Sequence, residues 1–123
     1  MEIHQSAEDY LECILRISKR RPVVRSIDIA TDMNFSKPSV SVAMKNLRTN
    51  GYINMDESGF ITLTDSGMEI ASRIYERHQV IREWLIYLGV TPEVAEKDAC
   101  RMEHTLSEET FAAVKAHVIE EMK

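Results

Sequence analysis

Residues 26–63 read SIDIATDMNFSKPSVSVAMKNLRTNGYINMDESGFITL, and the periodicity of this stretch decides the fold. Ile27, Ile29, Ala30 and Met33 form the apolar side of a short helix from about Ser26 to Met33. Asn34-Phe35 follows as a turn. Ser36 stands where a helix N-cap belongs, and Pro38 falls in the first turn, where a missing N–H is tolerated. Val40, Ala43, Met44 and Leu47 then recur at i, i+3, i+4 and i+7, the spacing of one buried helix face. Asn50-Gly51 stops this helix near Thr49. Beyond it the period changes from helical to alternating. Tyr52, Ile53 and Met55 lead into Asp56-Glu57-Ser58-Gly59, then Phe60, Ile61 and Leu63. Two short strands about a Gly-containing turn predict a hairpin. Helix, turn, helix and hairpin make a winged helix-turn-helix: the second helix can enter a major groove, and the hairpin is the wing.

Upstream, Tyr10, Leu11, Ile14, Leu15 and Ile17 predict a first helix from Ala7 to Lys19. Ser6 is its expected N-cap, with Glu8 and Asp9 in the first turn where the helix dipole favours anions. Arg20-Arg21-Pro22 ends it. Downstream, a long helix starts at Thr64-Asp65 and ends near Leu88-Gly89. Thr91-Pro92-Glu93 starts a fifth helix reaching about His104, an N-cap followed by Pro. Ser107 caps a sixth that runs through Met122. The expected fold class is mainly α, a winged helix-turn-helix over 1–64 followed by a helical domain over 65–123.

The net charge of -5 argues at first against nucleic acid. Its distribution reverses that argument. Residues 1–18 and 49–123 are net acidic, whereas residues 19–48 carry 7 basic groups against 2 acidic ones. Phosphate contact is local and is screened beyond about 10 Å, so the basic block matters more than the total. No apolar run approaches the roughly 18 residues of a membrane span, and the N-terminus lacks a signal-peptide profile, so a cytoplasmic location is expected. The 2 cysteines, Cys13 and Cys100, fit a reducing compartment that leaves thiols free for packing or metal. Cys13 reads as core, and His4 has no compelling spacing to other ligand types.

The third helix is the candidate reader. Ser36, Lys37, Pro38, Ser39, Ser41 and Lys45 lie at its start or on its exposed side, and Arg25 precedes the second helix. Hydroxyls and helix N-terminal amides suit phosphate; lysines add charge. With no Arg, Asn or Gln in its first two turns, direct hydrogen-bond readout of bases is sparse. Small residues here could equally serve only close helix packing.

Metal-ligand types fall in two clusters. Asp9 and Glu12 lie three apart in the first helix, and Cys100, Glu103 and His104 share one face of the fifth. His78 on the long helix is a further candidate. A thiolate, imidazoles and carboxylates suit a borderline transition ion better than Mg(II) or Ca(II). Singly, each has a plain structural reading: Cys100 as a small buried apolar residue, His78 as a surface or satisfied imidazole, Asp9 and Glu12 as helix-dipole charges. The run Val80, Ile81, Trp84, Leu85, Ile86, Tyr87 and Leu88 is apolar around most of the helix, more than one packing face needs. Ile81, Trp84, Leu85 and Leu88 are therefore expected at a homodimer surface.

Several stretches resemble the diphtheria toxin repressor and manganese transport regulator family along nearly the whole chain. They are EDYLECI at 8–14, residues 26–47, GYI at 51–53, LTDSG at 63–67, ERHQVIREWL at 76–85 and ACRMEHTLS at 99–107. The last is the most specific. The resemblance implies a homodimeric winged-helix repressor with a divalent metal corepressor, acting on an operator in double-stranded DNA, usually of metal-uptake genes. It implies no membrane, no small-molecule substrate and no enzyme activity. It places the metal ligands at Asp9, Glu12, His78, Cys100, Glu103 and His104. Cys100 departs from the manganese branch, which has a carboxylate there, and Asp9 departs from the iron branch, which has Met. Mn(II) or Fe(II) is the expected ion, with Zn(II), Co(II) or Ni(II) as substitutes. Arg82 stands where both branches often carry Glu, so an ancillary or second metal that used that Glu is expected to be weakened, unless Glu83 or Glu96 substitutes. Val42 stands where iron-type members carry a base-contacting Gln, which suits thymine methyl contact better than a hydrogen bond. The sequence stops after the last helix, so the short form without an SH3-like third domain is expected.

Three other readings stand beside this one. A winged-helix regulator gated by a small ligand or by cysteine oxidation keeps the DNA role and makes the clusters structural. A metal-dependent hydrolase would use the Cys/His/Glu set with an open metal position, but no Gly-rich phosphate loop or nucleophile elbow accompanies it. A winged helix that binds only protein is the third.

Overall fold

The structure, a computed structural model, describes residues 5–121. His4 and Met122 lie outside the described residues. The elements are α1 (Gln5–Arg20), α2 (Ser26–Met33), α3 (Lys37–Thr49), β1 (Ile53–Met55), β2 (Ile61–Leu63), α4 (Asp65–Tyr87), α5 (Pro92–Met102) and α6 (Glu108–Glu121). Two compact units divide the chain, Met1–Arg73 and Ile74–Lys123.

In the first unit α1, α2 and α3 pack on the hairpin. Leu11, Ile14, Ile17, Ile29, Val40, Met44 and Ile53 are fully buried there. Local chemistry sets the boundaries. Asn34 takes the left-handed conformation at φ 57° as the C-cap of α2, and the Phe35 N–H bonds the Ala30 carbonyl at 3.1 Å. Ser36 caps α3 as expected: its Oγ accepts from the Ser39 N–H at 3.3 Å. Ser6 does not cap α1; it lies inside the helix, which already includes Gln5.

The hairpin is antiparallel, with Ile53 opposite Leu63 and Met55 opposite Ile61. Asp56 shapes its turn. Its Oδ1 accepts from the N–H groups of Ser58 and Phe60, both at 2.9 Å. The Ile61 N–H reaches the Val24 carbonyl at 2.8 Å, which ties the wing to the α1–α2 connection. Thr64 then closes the entry to α4. Its hydroxyl donates to the Gly51 carbonyl at 2.7 Å and accepts from the Gly67 N–H at 3.1 Å. Gly67 is required here, because a Cβ would run into the Tyr52 carbonyl.

Asp32 joins α1 to α2. Its carboxylate accepts from Arg20 at 2.9 Å, Arg16 at 3.2 Å and the Cys13 thiol at 3.3 Å. Burial opposes ionisation of Asp32, yet the Arg20 and Cys13 hydrogen bonds and the two guanidinium charges hold its carboxyl below the ordinary 3.8.

The second unit holds the rest of α4 with α5 and α6. Ile74, Ile81, Ala95, Ala99, Phe111 and Val118 are buried in it. Ser107 caps α6, accepting from the Thr110 N–H at 3.1 Å. α5 ends at Met102, earlier than the sequence predicts, so Glu103 and His104 sit in the following turn. Arg77 holds the turn that follows. Its guanidinium donates to the Leu106 carbonyl at 2.6 Å and the Glu103 carbonyl at 3.2 Å, and stacks on Phe111 at 5.1 Å. It thereby gives partners to carbonyls that a helix end leaves open.

Candidate metal centre and nucleic-acid interface

The ligand-type residues of the second unit converge on Glu103, which is 0% exposed. His78 Nδ1 lies 2.8 Å from Glu103 Oε2, and His104 Nε2 lies 3.2 Å from Glu103 Oε1. A buried charge is costly unless paired. Burial pushes the Glu103 carboxyl up, but hydrogen bonds from His104 and His78, and their charge, bring it below its ordinary value. The result is a buried carboxylate between two imidazoles, built from α4 and the α5–α6 turn.

A second carboxylate holds the other side of the His78 ring. Glu96 Oε1 lies 2.8 Å from His78 Nε2, and Glu96 Oε2 pairs with Arg82 Nε at 2.8 Å. Glu96 thus stands between Arg82 and His78. His78 is buried, not a surface imidazole. Cys100 is exposed on α5, not a buried apolar residue. Cys13 is buried, as expected of core. Its thiol is pushed up to about 12 by burial and by the hydrogen bond and charge of Asp32.

In the first unit Asp9 and Glu12 lie on α1, Asp9 half-buried and Glu12 buried. Arg16, one turn on, approaches the Glu12 carboxylate at 3.9 Å. Arg77 was not singled out from the sequence, although it was legible there. It falls on the stripe set by Ile74 and Ile81, where an arginine must be buried and partnered.

The reading elements carry the expected exposure. Ser36, Lys37, Pro38, Ser39, Ser41 and Lys45 are all exposed, and so is Arg25. Arg25 lies 4.7 Å above the Phe60 ring, a cation–π contact that holds it beside the wing. Of the four residues expected at a dimer surface, Ile81 needs correction. It is 0% exposed within the single chain, so its side chain belongs to the core and offers no area to a partner. Trp84 and Leu85 are half-buried, and Leu88 is exposed.

Residues 2–59 match the iron dependent repressor N-terminal DNA binding domain, and residues 64–119 match the iron dependent repressor metal binding and dimerisation domain. The chain belongs to the iron-dependent repressor family. This is a family of transcriptional regulators, not of enzymes. Over 108 residues the chain is 38% identical to the transcriptional regulator MntR of Escherichia coli O6:H1, covering 88% of this chain and 70% of that protein. Over 113 residues it is 35% identical to an uncharacterised HTH-type transcriptional regulator of Methanocaldococcus jannaschii, covering 90% of each. Among solved structures, a manganese-dependent transcriptional repressor in complex with manganese superposes with a TM-score of 0.83 at 26% identity, over 91% of this chain. The chain spans 52% of that structure's length, 54% of the manganese regulator SloR and 53% of the metal-dependent transcriptional regulator MtsR. Among the described residues no helix is long and apolar enough to cross a membrane.

Proposed function

We infer that this chain is a divalent-metal-dependent, DNA-binding transcriptional repressor that works as a homodimer on operators of metal-uptake genes. The observation that carries the reading is Glu103, a fully buried carboxylate held between His78 and His104 in the part of the chain that matches a metal-binding and dimerisation domain. Residues 1–64 are assigned to DNA and residues 65–123 to metal and partner. A cytoplasmic location follows from acting on DNA.

The donor set fits a divalent transition ion. Two imidazoles, three carboxylates and a thiolate combine nitrogen, oxygen and sulfur donors, which suit Mn(II), Fe(II), Co(II), Ni(II) or Zn(II). Asp9, Glu12, His78, Cys100, Glu103 and His104 are the proposed ligands, and Mn(II) or Fe(II) is the favoured ion. When bound, the ion supplies positive charge that cancels the mutual repulsion of the carboxylates. The chain's own part is to present them. Without the ion, the His78 and His104 imidazoles beside Glu103 hold its carboxyl below the ordinary value despite burial. Glu96, anchored by Arg82, fixes the plane of the His78 ring, as outer partners of ligating histidines do. Asp9 and Glu12, carried by α1, would commit the DNA-reading unit to the same ion and so set the spacing of two recognition helices against half-sites about 34 Å apart.

Support for a homodimer comes from exposed apolar side chains in the second unit: Tyr87, Leu88, Val94 and Ile119. The Trp84 indole N–H also has no acceptor among the described residues, and a partner chain can supply one.

The test is a titration of fluorescent duplexes, selected from a random pool, with the protein in Mn(II) and in chelator. Tight binding is expected only with Mn(II), and Glu103→Ala should remove that difference while keeping the helical circular dichroism. Equal affinity in both conditions would leave a regulator gated by something else, such as a small ligand or cysteine oxidation.

A further inference from the structure

One guanidinium in the first unit stands between two carboxylates with different tasks. Arg16 lies one turn after Glu12 on α1, and this spacing puts both side chains on one face of the helix. Arg16 Nη2 donates to Asp32 Oδ2 at 3.2 Å. Asp32 sits in the last turn of α2, the first helix of the helix-turn-helix. Arg16 Nε is 3.9 Å from Glu12 Oε1, an ion pair too long for a hydrogen bond. That Nε is buried and has no hydrogen-bond partner among the described residues, a costly state for a charged donor.

Glu12 is a proposed ligand, so the charge that Arg16 meets there depends on the ion. An ionised Glu12 pulls Arg16 along α1. A divalent ion on Glu12 cancels that pull and repels the guanidinium, which leaves Asp32 as its one anionic partner. Arg20 at 2.9 Å and the Cys13 thiol at 3.3 Å hold Asp32 in either state. Arg16 therefore tightens the α1–α2 junction without being its sole support.

We propose that Arg16 is a positioning residue that links Glu12 to the helix-turn-helix: without an ion Glu12 and Asp32 share it, and with an ion it turns wholly to Asp32. The proposal rests on the metal- and DNA-binding reading of the chain. It predicts opposite effects for the two ends of the link. Loss of the Arg16 charge removes a cation that competes with the ion for Glu12, so Mn(II) should bind more tightly. Loss of the Asp32 charge leaves Arg16 to Glu12, so Mn(II) should bind more weakly. Either loss breaks the link to α2. A residue that only supports the fold would weaken Mn(II) binding in both cases.

The experiment uses the full chain, with Mn(II) affinity measured by equilibrium dialysis without DNA. Selected duplexes are then titrated in Mn(II) and in chelator, and circular dichroism checks the fold. Arg16→Gln should tighten Mn(II) binding about fivefold and Asp32→Asn weaken it by a similar factor, the upper end for an ion pair that solvent reaches. Both should shrink the factor by which Mn(II) tightens duplex binding. Arg16→Lys keeps the charge and loses the fork; it should keep Mn(II) affinity near that of the wild type and still shrink that factor, and it decides the matter if Arg16→Gln does not fold. Mn(II) affinity unchanged or weakened in a folded Arg16→Gln, or an undiminished factor in Arg16→Lys, would show the assignment to Arg16 to be wrong while the metal-dependent reading stands. A wild type that binds no Mn(II), or binds duplex equally with and without it, would overturn both.

Discussion

The two thiols of this chain have opposite surroundings, which gives a direct experimental handle. Cys13 is buried, bonds Asp32 and is pushed up to about 12, so at neutral pH it is a protonated thiol out of reach of reagents. Cys100 is exposed. In the native protein, iodoacetamide should label Cys100 alone, and Cys13 should react only after unfolding. If Cys100 is a ligand, Mn(II) or Zn(II) should slow its labelling; mass spectrometry of the two peptides reads both outcomes. Asp32 gives a second handle. Its folded-state value lies below 3.8, so its charge stabilises the fold above that pH, and the contribution is lost as pH falls through the lower folded value. Asp32→Asn should cost about 1 kcal/mol at pH 7. The gap in thermal midpoint between this variant and the wild type should narrow progressively as pH falls below 3.8. A gap that keeps its full size throughout the acid titration would mean that packing, rather than charge, accounts for the loss.

At the scale of elements, sequence periodicity located most boundaries because the residues that end each helix are local. Ser36, Asn50-Gly51 and Ser107 act within a few residues of themselves, so reading them needs no tertiary knowledge. α5 was harder. The turn after it is held by Arg77, which lies 26 residues before Glu103, the first carbonyl it grips. No local signal at Met102 announces it. Gly67 is the opposite case: as an internal helix residue it looks unremarkable, yet it permits the close approach of the Tyr52 carbonyl. Gly67→Ala should destabilise the first unit by about 1–3 kcal/mol, although alanine is the better helix former. A chemical-denaturation midpoint checks this; a stabilised variant would mean that the wing entrance yields without cost.

For the whole molecule, the candidate ligands were recognisable from spacing and from family resemblance, because Cys100, Glu103 and His104 are close in sequence. Their surroundings were not. The Arg82–Glu96–His78 connection joins residues of two helices and depends on how α4 and α5 pack. Similarly, the apolar run of α4 announced more hydrophobic surface than one face needs, but could not separate Ile81, which is core, from Leu88, which is exposed. Leu88→Glu should therefore weaken self-association, whereas Ile81→Glu should unfold the chain. Sedimentation at micromolar concentration tests the pair, and an unchanged dimer for Leu88→Glu would move the interface elsewhere.

The central claim is that ion binding and DNA binding are one coupled equilibrium, and coupling is reciprocal. Mn(II) affinity should be measured by equilibrium dialysis, without DNA and with a saturating selected duplex. The expected result is that the duplex tightens Mn(II) binding by at least about tenfold, roughly 1.4 kcal/mol, and by the same factor by which Mn(II) tightens duplex binding. An Mn(II) dissociation constant that is the same with and without the duplex would contradict the account.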